Sequence, residues 1–390
     1  MFNRTLKTRL EGLARQFPVV SVIGPRQSGK TTLVQLTFPQ HTYINLENPE
    51  ERDFAIEDPK GFLSRAGKGI ILDEIQRVPD LFSYIQILVD EDRQPGRWIL
   101  TGSQNFLLMH QISQTLAGRT TLLQLLPLSI LELYPDKPDI TWNETLFKGL
   151  YPEIWHRDID PKDWFRGYIQ TYVERDMRDL IRIGDLTTFS RFLRLCAGRT
   201  GQLLNFNGLA VDCGISQPTA KSWLSILETC GLIMLLRPHY ANFSKRLVKT
   251  PKLYWVDPGL LCHFLRVLDP DDLYTHPYRG AIFETFVVSE LFKAFLHNGM
   301  EPDIYFWRDR SGHEIDALVQ IGRQWIPLEI KSSETVSKTF FRGLNYWLGL
   351  DKGEHSKHGI LVCAGKTSYQ RSGHVVLPWW GAAGHLTKLL

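Results

Sequence analysis

Short aliphatic runs alternate with longer stretches of mixed polarity over the first 130 positions. Val19-Val20-Ser21-Val22-Ile23 and Gly69-Ile70-Ile71-Leu72-Asp73 read as buried strands. Arg97-Trp98-Ile99-Leu100-Thr101-Gly102-Ser103 is a third, bracketed by Thr42-Tyr43-Ile44-Asn45-Leu46 and Thr121-Leu122-Leu123-Gln124-Leu125. Helical stretches separate these runs, the first being Thr32-Leu33-Val34-Gln35-Leu36. Strand and helix in alternation predict a parallel sheet with crossover helices. Pro127-Leu128-Ser129 closes that sheet, and Pro135 and Pro138 mark a linker.

The pattern then changes. Residues 142–183 are helix-rich. Apolar positions at helical spacing run through Leu209-Ala210, break at Gly214, and resume through Thr219-Ala220, Trp223-Leu224 and Leu227. Ser216 is placed to cap the second helix, Gln217–Thr229, so the spacing is that of a helix-turn-helix. Two strands, 233–236 and 252–256, flank a loop holding Lys245, Arg246 and Lys249, which makes the unit a winged helix by pattern. In a nucleic-acid reading, Gln217, Thr219, Lys221 and Ser222 face a groove and the basic loop tracks phosphates. The competing reading is a lid or protein-docking module. Farther on, an amphipathic helix at 280–291 precedes strands at 304–308, 313–319 and 325–331.

The sharpest chemistry follows the first strand. Gly24-Pro25-Arg26-Gln27-Ser28-Gly29-Lys30-Thr31 is GxxxxGK[ST] between a strand and a helix start at Thr32. Consecutive backbone N–H groups and a helix N-terminus surround a phosphate there, and glycines let the main chain approach it. Lys30 is placed to reach the β- and γ-phosphates, and the Thr31 hydroxyl to ligate Mg²⁺. Asp73, at the carboxyl end of its strand, is the second magnesium candidate, and Glu74 is placed to orient the attacking water. Ser103, Thr101 or Gln104 is placed to touch the γ-phosphate or the water, and spacing alone does not choose among them.

A second constellation lies near the end. Glu284 sits on or near the apolar face of its helix; Asp316 follows on a strand, then Glu329-Ile330-Lys331. Strand alternation puts Glu329 and Lys331 on one side. Acid, Asp and Glu-x-Lys in this order is the layout of the PD-(D/E)xK nuclease-like fold. Asp316 and Glu329 would hold a second divalent metal, Lys331 would position water, and Glu284 would complete the acidic shell. The competing reading is a fold remnant in which the acids pair with Lys331.

Composition narrows the rest. Of 390 residues, 43% are hydrophobic and 22% charged, which are globular values. A formal net charge of +3 neither demands nor excludes nucleic acid. The five cysteines show no CxxC spacing, which fits reduced thiols rather than a zinc site. With no spanning apolar run and no signal-peptide block at the start, the expectation is a soluble, cytoplasmic protein with no membrane contact.

The stretches GPRQSGKTT, INLENPEERDFAIEDPKGFL, GIILDEIQRVPDL, ILTGSQNFLL and LAGRTTLLQLLPLSILEL resemble an AAA-type P-loop ATPase fused to a C-terminal DUF4143 region. The resemblance spans essentially the whole chain. It implies a Walker A segment at 24–31, a Walker B segment at 70–74 and a sensor near Thr101–Gln104, with ATP and Mg²⁺ as cofactors. Arg119 resembles the family's arginine before the last strand, serving phosphoryl transfer in cis or in a neighbouring subunit, or else a structural salt bridge. Tyr168–Asp176 resembles the opening of the C-terminal region, with Glu174, Arg175 and Asp176 as a local ion-pair set. A homo-oligomer is implied as well.

The expected organisation is α/β: a P-loop ATPase domain at 1–135, a helical linker region at 136–186, a winged-helix domain at 187–262 and a restriction-endonuclease-like domain at 263–390. The expected function is Mg-dependent ATP binding and hydrolysis coupled to DNA binding or processing. The alternative is a signalling or scaffold ATPase whose C-terminal domain docks a protein partner and cuts nothing.

Overall fold

The computed structural model describes residues 2–103, 116–173, 186–239, 250–350 and 355–389. Gln104, Glu174, Arg175, Asp176, Lys245, Arg246 and Lys249 lie outside the described residues. The chain divides into two compact units. The first is Met1–Pro127 with Thr229–Gly231 and Leu296–Met300; the second is Leu128–Glu228, Leu232–Phe295 and Glu301–Leu390.

In the first unit, α1 (Leu6–Ala14) leads into β1 (Val19–Ile23), α2 (Lys30–Thr37), β2 (Thr42–Asn45), α3 (Pro49–Glu57) and α4 (Pro59–Ser64). β3 (Ile70–Asp73), α5 (Leu81–Glu91), β4 (Trp98–Gly102) and β5 (Thr120–Gln124) follow. The strands form one sheet in the order β2-β3-β4-β1-β5, and every pairing is parallel. Such a sheet is covered on both faces, which is why β1, β3 and β4 are buried at every position. Alternate residues serve opposite cores. Ile70, Leu72, Trp98 and Leu100 pack with α4 and α5, while Val20, Val22, Ile71 and Ile99 pack with α1 and α2. Each fully buried aliphatic side chain of this kind contributes about 1.5–3 kcal/mol of transfer free energy.

The second unit opens with helices: α6 (Trp142–Lys148), α7 (Pro152–Arg157), α8 (Pro161–Tyr168), α9 (Leu186–Ala197), α10 (Phe206–Cys213) and α11 (Gln217–Thr229). Asn205 caps α10 by accepting from Gly208 N at 2.9 Å, and Gly214 ends it at φ 76°. Ser216 Oγ accepts from Thr219 N at 3.2 Å and starts α11, which buries Ala220, Trp223, Leu224 and Leu227. β6 (Ile233–Pro238), β7 (Lys252–Trp255), α12 (Pro258–Phe264), α13 (Arg279–Leu296), β8 (Ile304–Arg308), β9 (Glu314–Ile321) and β10 (Gln324–Lys331) come next. α14 (Arg342–Leu348), β11 (Ile360–Cys363), β12 (Tyr369–Arg371), β13 (His374–Pro378) and α15 (Gly381–Thr387) complete the unit.

Its eight strands run β12-β13-β11-β10-β9-β8-β6-β7. The expected wing strands β6 and β7 pair antiparallel, Ile233 opposite Trp255, and β6 also pairs parallel with β8 at Arg237 and Pro238. One sheet therefore runs across the expected division at 262/263. Trp307, Ile315, Phe341, Leu344, Trp347 and Leu361 form the core against one of its faces. All five cysteines are buried thiols. Among the described residues no helix is long and apolar enough to cross a membrane.

Candidate functional site

The carboxyl ends of β1, β3 and β4 gather the residues singled out in the first unit. After β1 the chain turns at Gly24, φ 154°, where a Cβ would lie 2.0 Å from the Leu125 carbonyl oxygen. Only glycine fits so close a crossing. Gly29, φ 94°, then delivers the chain into α2. From α1's approach, Arg4 braces this loop. Its guanidinium donates to Ser28 O at 2.6 Å and to Leu126 O at 2.7 Å.

Lys30 opens α2 and is buried, donating to Gly24 O at 2.9 Å and Pro25 O at 2.8 Å. Burial pulls its ammonium down to about 8, against the opposing charges of Glu74 and Asp73. Ser28 Oγ is buried with no hydrogen-bond partner among the described residues. Arg26 turns outward to Glu47 at 3.1 Å, Gln27 takes φ 59°, and Thr32 is exposed at the helix start.

Asp73 is surrounded by hydroxyls. Its Oδ2 accepts from Thr31 Oγ1 at 2.9 Å and from Tyr43 OH at 2.8 Å, and its Oδ1 accepts from Thr101 Oγ1. Burial and the Asp73 charge push the Tyr43 phenol far above its usual range, so it remains a donor. Glu74 sits at φ 55°, a left-handed conformation that costs a non-glycine residue of order 1 kcal/mol or more. Its Oε2 accepts from Ser103 Oγ at 2.7 Å and Gln76 Nε2 at 2.5 Å. Arg119 makes a bidentate pair with Asp90, 2.6 and 2.8 Å, on the exposed surface.

Sequence reading named Thr31, Asp73, Glu74, Thr101 and Ser103 for this place and missed Tyr43, Gln76 and Arg4. The residues fit a magnesium–nucleotide. One buried carboxylate with a threonine hydroxyl at hydrogen-bond distance is a hard oxygen set. The orphaned Ser28 hydroxyl and the glycine-cleared turn suit a phosphate.

The second cluster is built differently. On β10, Lys331 Nζ donates to Glu329 Oε2 at 2.8 Å and to Asp316 Oδ2 at 3.2 Å. Asp316 Oδ2 also accepts from Ile330 N at 2.8 Å. On β7, Lys252 and Tyr254 point the same way. Tyr254 OH donates to Glu284 Oε1 at 2.5 Å, and Lys252 Nζ lies 3.5 Å from that oxygen and pairs with Glu314. Gly343 on α14 lets the helix pass where a Cβ would meet Glu329 Oε1 at 2.2 Å. Burial, then the Asp316 charge, pushes Glu284 and Glu329 above the usual carboxylate range. Although burial works against its charge, Glu284, Glu314 and Asp316 hold Lys252 above its usual value.

The structure thus brings Asp316, Glu329 and Lys331 into direct contact, while Glu284 meets Tyr254 and Lys252, the latter also paired with Glu314 and missed by sequence reading. Among the described residues no group of three or more His, Cys, Asp or Glu side chains is arranged to hold a metal. As arranged, these acids pair with lysine ammoniums.

Fold and site together define an AAA-type P-loop ATPase. Three family models match the chain: "AAA domain" over residues 16–134, "Domain of unknown function (DUF8612)" over 140–271 and "Domain of unknown function (DUF4143)" over 279–381. An uncharacterized protein of Mycobacterium tuberculosis is 34% identical over 340 residues, 86% of this chain and 75% of its own length; one from Mycobacterium bovis gives the same figures. An uncharacterized protein of Methanocaldococcus jannaschii is 23% identical over 332 residues, covering 76% of this chain and 71% of its own. Among solved structures, a Walker-type ATPase of Pyrococcus abyssi covers 66% of this chain and 94% of its own at 16% identity, with a TM-score of 0.44. The chain belongs to the family of the mycobacterial proteins, with an AAA domain ahead of a DUF4143 domain.

Proposed function

We propose that the chain binds Mg-ATP in the loop Gly24–Thr31, hydrolyses it with Glu74, and couples the cycle to a nucleic-acid contact made after residue 186. The observation that carries the nucleotide reading is the pair of unspent groups in an already formed loop. Lys30 rests on two main-chain carbonyls, and Ser28 Oγ has no hydrogen-bond partner among the described residues. Phosphate oxygens are better acceptors for both: they would give the Ser28 hydroxyl a charge-assisted hydrogen bond, roughly twice as strong as a neutral one, and the Lys30 ammonium an opposite charge in place of neutral carbonyls. Magnesium held by Asp73 and Thr31 would neutralise charge on the β- and γ-phosphates. Glu74, released from Ser103 or Gln76, accepts the proton of the attacking water, and Ser103 or Thr101 senses the γ-phosphate. Arg119 exchanges Asp90 for phosphate charge within its own chain or across a homo-oligomer contact.

The nucleic-acid reading is supported by α10 and α11, whose turn leaves Gln217, Lys221 and Ser222 exposed on one helix. A second reading has a specific observation in its favour. Because Lys252 and Lys331 hold the acids of the second cluster, the C-terminal fold binds a partner, nucleic acid or protein, without cutting it. Equilibrium binding of labelled ATP tests the first part: Lys30→Ala weakens it by about 2–5 kcal/mol, and retained affinity refutes the reading. Magnesium-dependent DNA cleavage that Lys331→Ala removes would refute the non-cutting reading.

A further inference from the structure

The second unit contains a cavity of about 660 Å³, and no residue of either cluster above lines it. α6, α8, α9 and α12 wall it. Phe165, Leu193 and Cys262 form a buried floor, with Phe147 and Phe264 half-buried beside it. Lys162, Arg166, Arg194 and Arg266 stand exposed around the mouth. Among the described residues no carboxylate lines the cavity. Asp163 does pair with Arg166 nearby. Arg194 and Ser190 also line an adjoining recess of about 450 Å³, which adds Arg191 to the same basic strip.

Two features narrow the ligand. The volume lies within the roughly 300–1,000 Å³ of small-molecule sites. The positive field reaches inside, for burial first and then the charges of Arg166 and Arg194 lower the pKa of His263 in the wall. A flat apolar body therefore fits the phenylalanine floor while anionic groups meet the rim. A peptide strand is served poorly, because helical walls spend their N–H and C=O groups internally and offer no edge to pair with.

We propose that this cavity binds a nucleotide unit, its base against Phe147 and Phe165 and its phosphate on Arg194 and Arg266. The unit is either a free nucleotide or one nucleotide of a single strand continuing toward Arg191. Aromatic stacking combined with a cationic track is how sequence-tolerant single-strand sites work. The site shares no residue with the phosphate loop, so its failure leaves that reading untouched.

The test uses the full chain carrying Lys30→Ala, with AMP measured by calorimetry and fluorescein-labelled dT8 by anisotropy. The expected result is saturable binding of one or both probes. Arg194→Glu with Arg266→Glu weakens it by about tenfold or more, with a shallower salt dependence. Phe147→Leu, which keeps bulk and charge, weakens it by about fivefold. Arg323→Glu, an exposed charge reversal away from the cavity, leaves it unchanged. AMP binding identifies the free nucleotide as the source, and dT8 binding alone identifies the strand. Failure of both probes, or binding insensitive to the paired reversal or to Phe147→Leu, overturns the proposal. So does binding of an acidic peptide with neither probe bound.

Discussion

Two buried carboxylate centres sit in this chain, and their partners set them apart. Asp73 is held by the hydroxyls of Thr31, Tyr43 and Thr101, and Glu74 by Ser103 and an amide. Asp316, Glu329, Glu284 and Glu314 are held by the ammoniums of Lys331 and Lys252. Hydroxyl dipoles satisfy hydrogen bonds without cancelling charge, which suits the cation proposed to arrive with phosphate. Lysines cancel charge as well, so the second centre is closed by the chain's own cations. Residue types alone made both look like magnesium sites; their neighbours differ.

Removing a closing cation breaks the second centre most severely. Lys252→Met leaves the half-buried Glu284 and Glu314 without their cation, and the cost of about 3–5 kcal/mol for losing one partner of a fully buried pair is its upper bound. The sign with pH follows from the raised pKa values of Glu284 and Glu329. Their folded state binds more protons than the unfolded one above the normal carboxylate range, so stability falls as pH rises through that window. Thermal denaturation of Lys252→Met is therefore expected to show its largest deficit near pH 9 and its smallest near pH 5. A pH-independent deficit would mean the carboxylates are not what Lys252 stabilises.

At the first centre, Lys30→Ala removes the buried cation proposed to meet the phosphates, and such truncations cost about 2–5 kcal/mol of binding. ATP affinity is expected to fall by that amount while the thermal midpoint of the nucleotide-free chain changes little. Glu74→Gln keeps ATP bound and slows turnover by about a hundredfold or more, the scale of a lost general base. Unchanged turnover would move the proton acceptor elsewhere. The smallest effect is titrational. With Lys30 near 8 in the free chain, phosphate charge raises it, so ATP binding takes up a fraction of a proton above pH 8. Calorimetry in two buffers of different ionisation enthalpy reads this uptake, and Lys30→Ala removes it.

Local patterns made much of this legible. β1, β3 and the bounds of α11 follow from apolar runs and spacing, and the glycine-rich turn placed Lys30, Thr31 and Asp73 together because that motif is contiguous and its strand neighbour generic. What escaped was carried by ordinary residues from distant elements. Tyr43 was read as one position in a strand, and Arg4 lies ahead of the first apolar run. Lys252 lies in Lys252-Leu253-Tyr254-Trp255, where every position is buried. A lysine inside such a strand must find a counterion, and that was a usable signal, but its partner Glu284 is 32 residues on. Ile360-Leu361-Val362-Cys363 is an apolar run of the kind that located β1, and it forms β11.

Counting manganese in the ATP complex by electron paramagnetic resonance tests the contrast most directly. The expected result is a single tightly bound Mn²⁺ per chain that appears only with ATP, disappears in Asp73→Asn and persists in Asp316→Asn. Manganese that binds without nucleotide, survives Asp73→Asn and is lost in Asp316→Asn would contradict it.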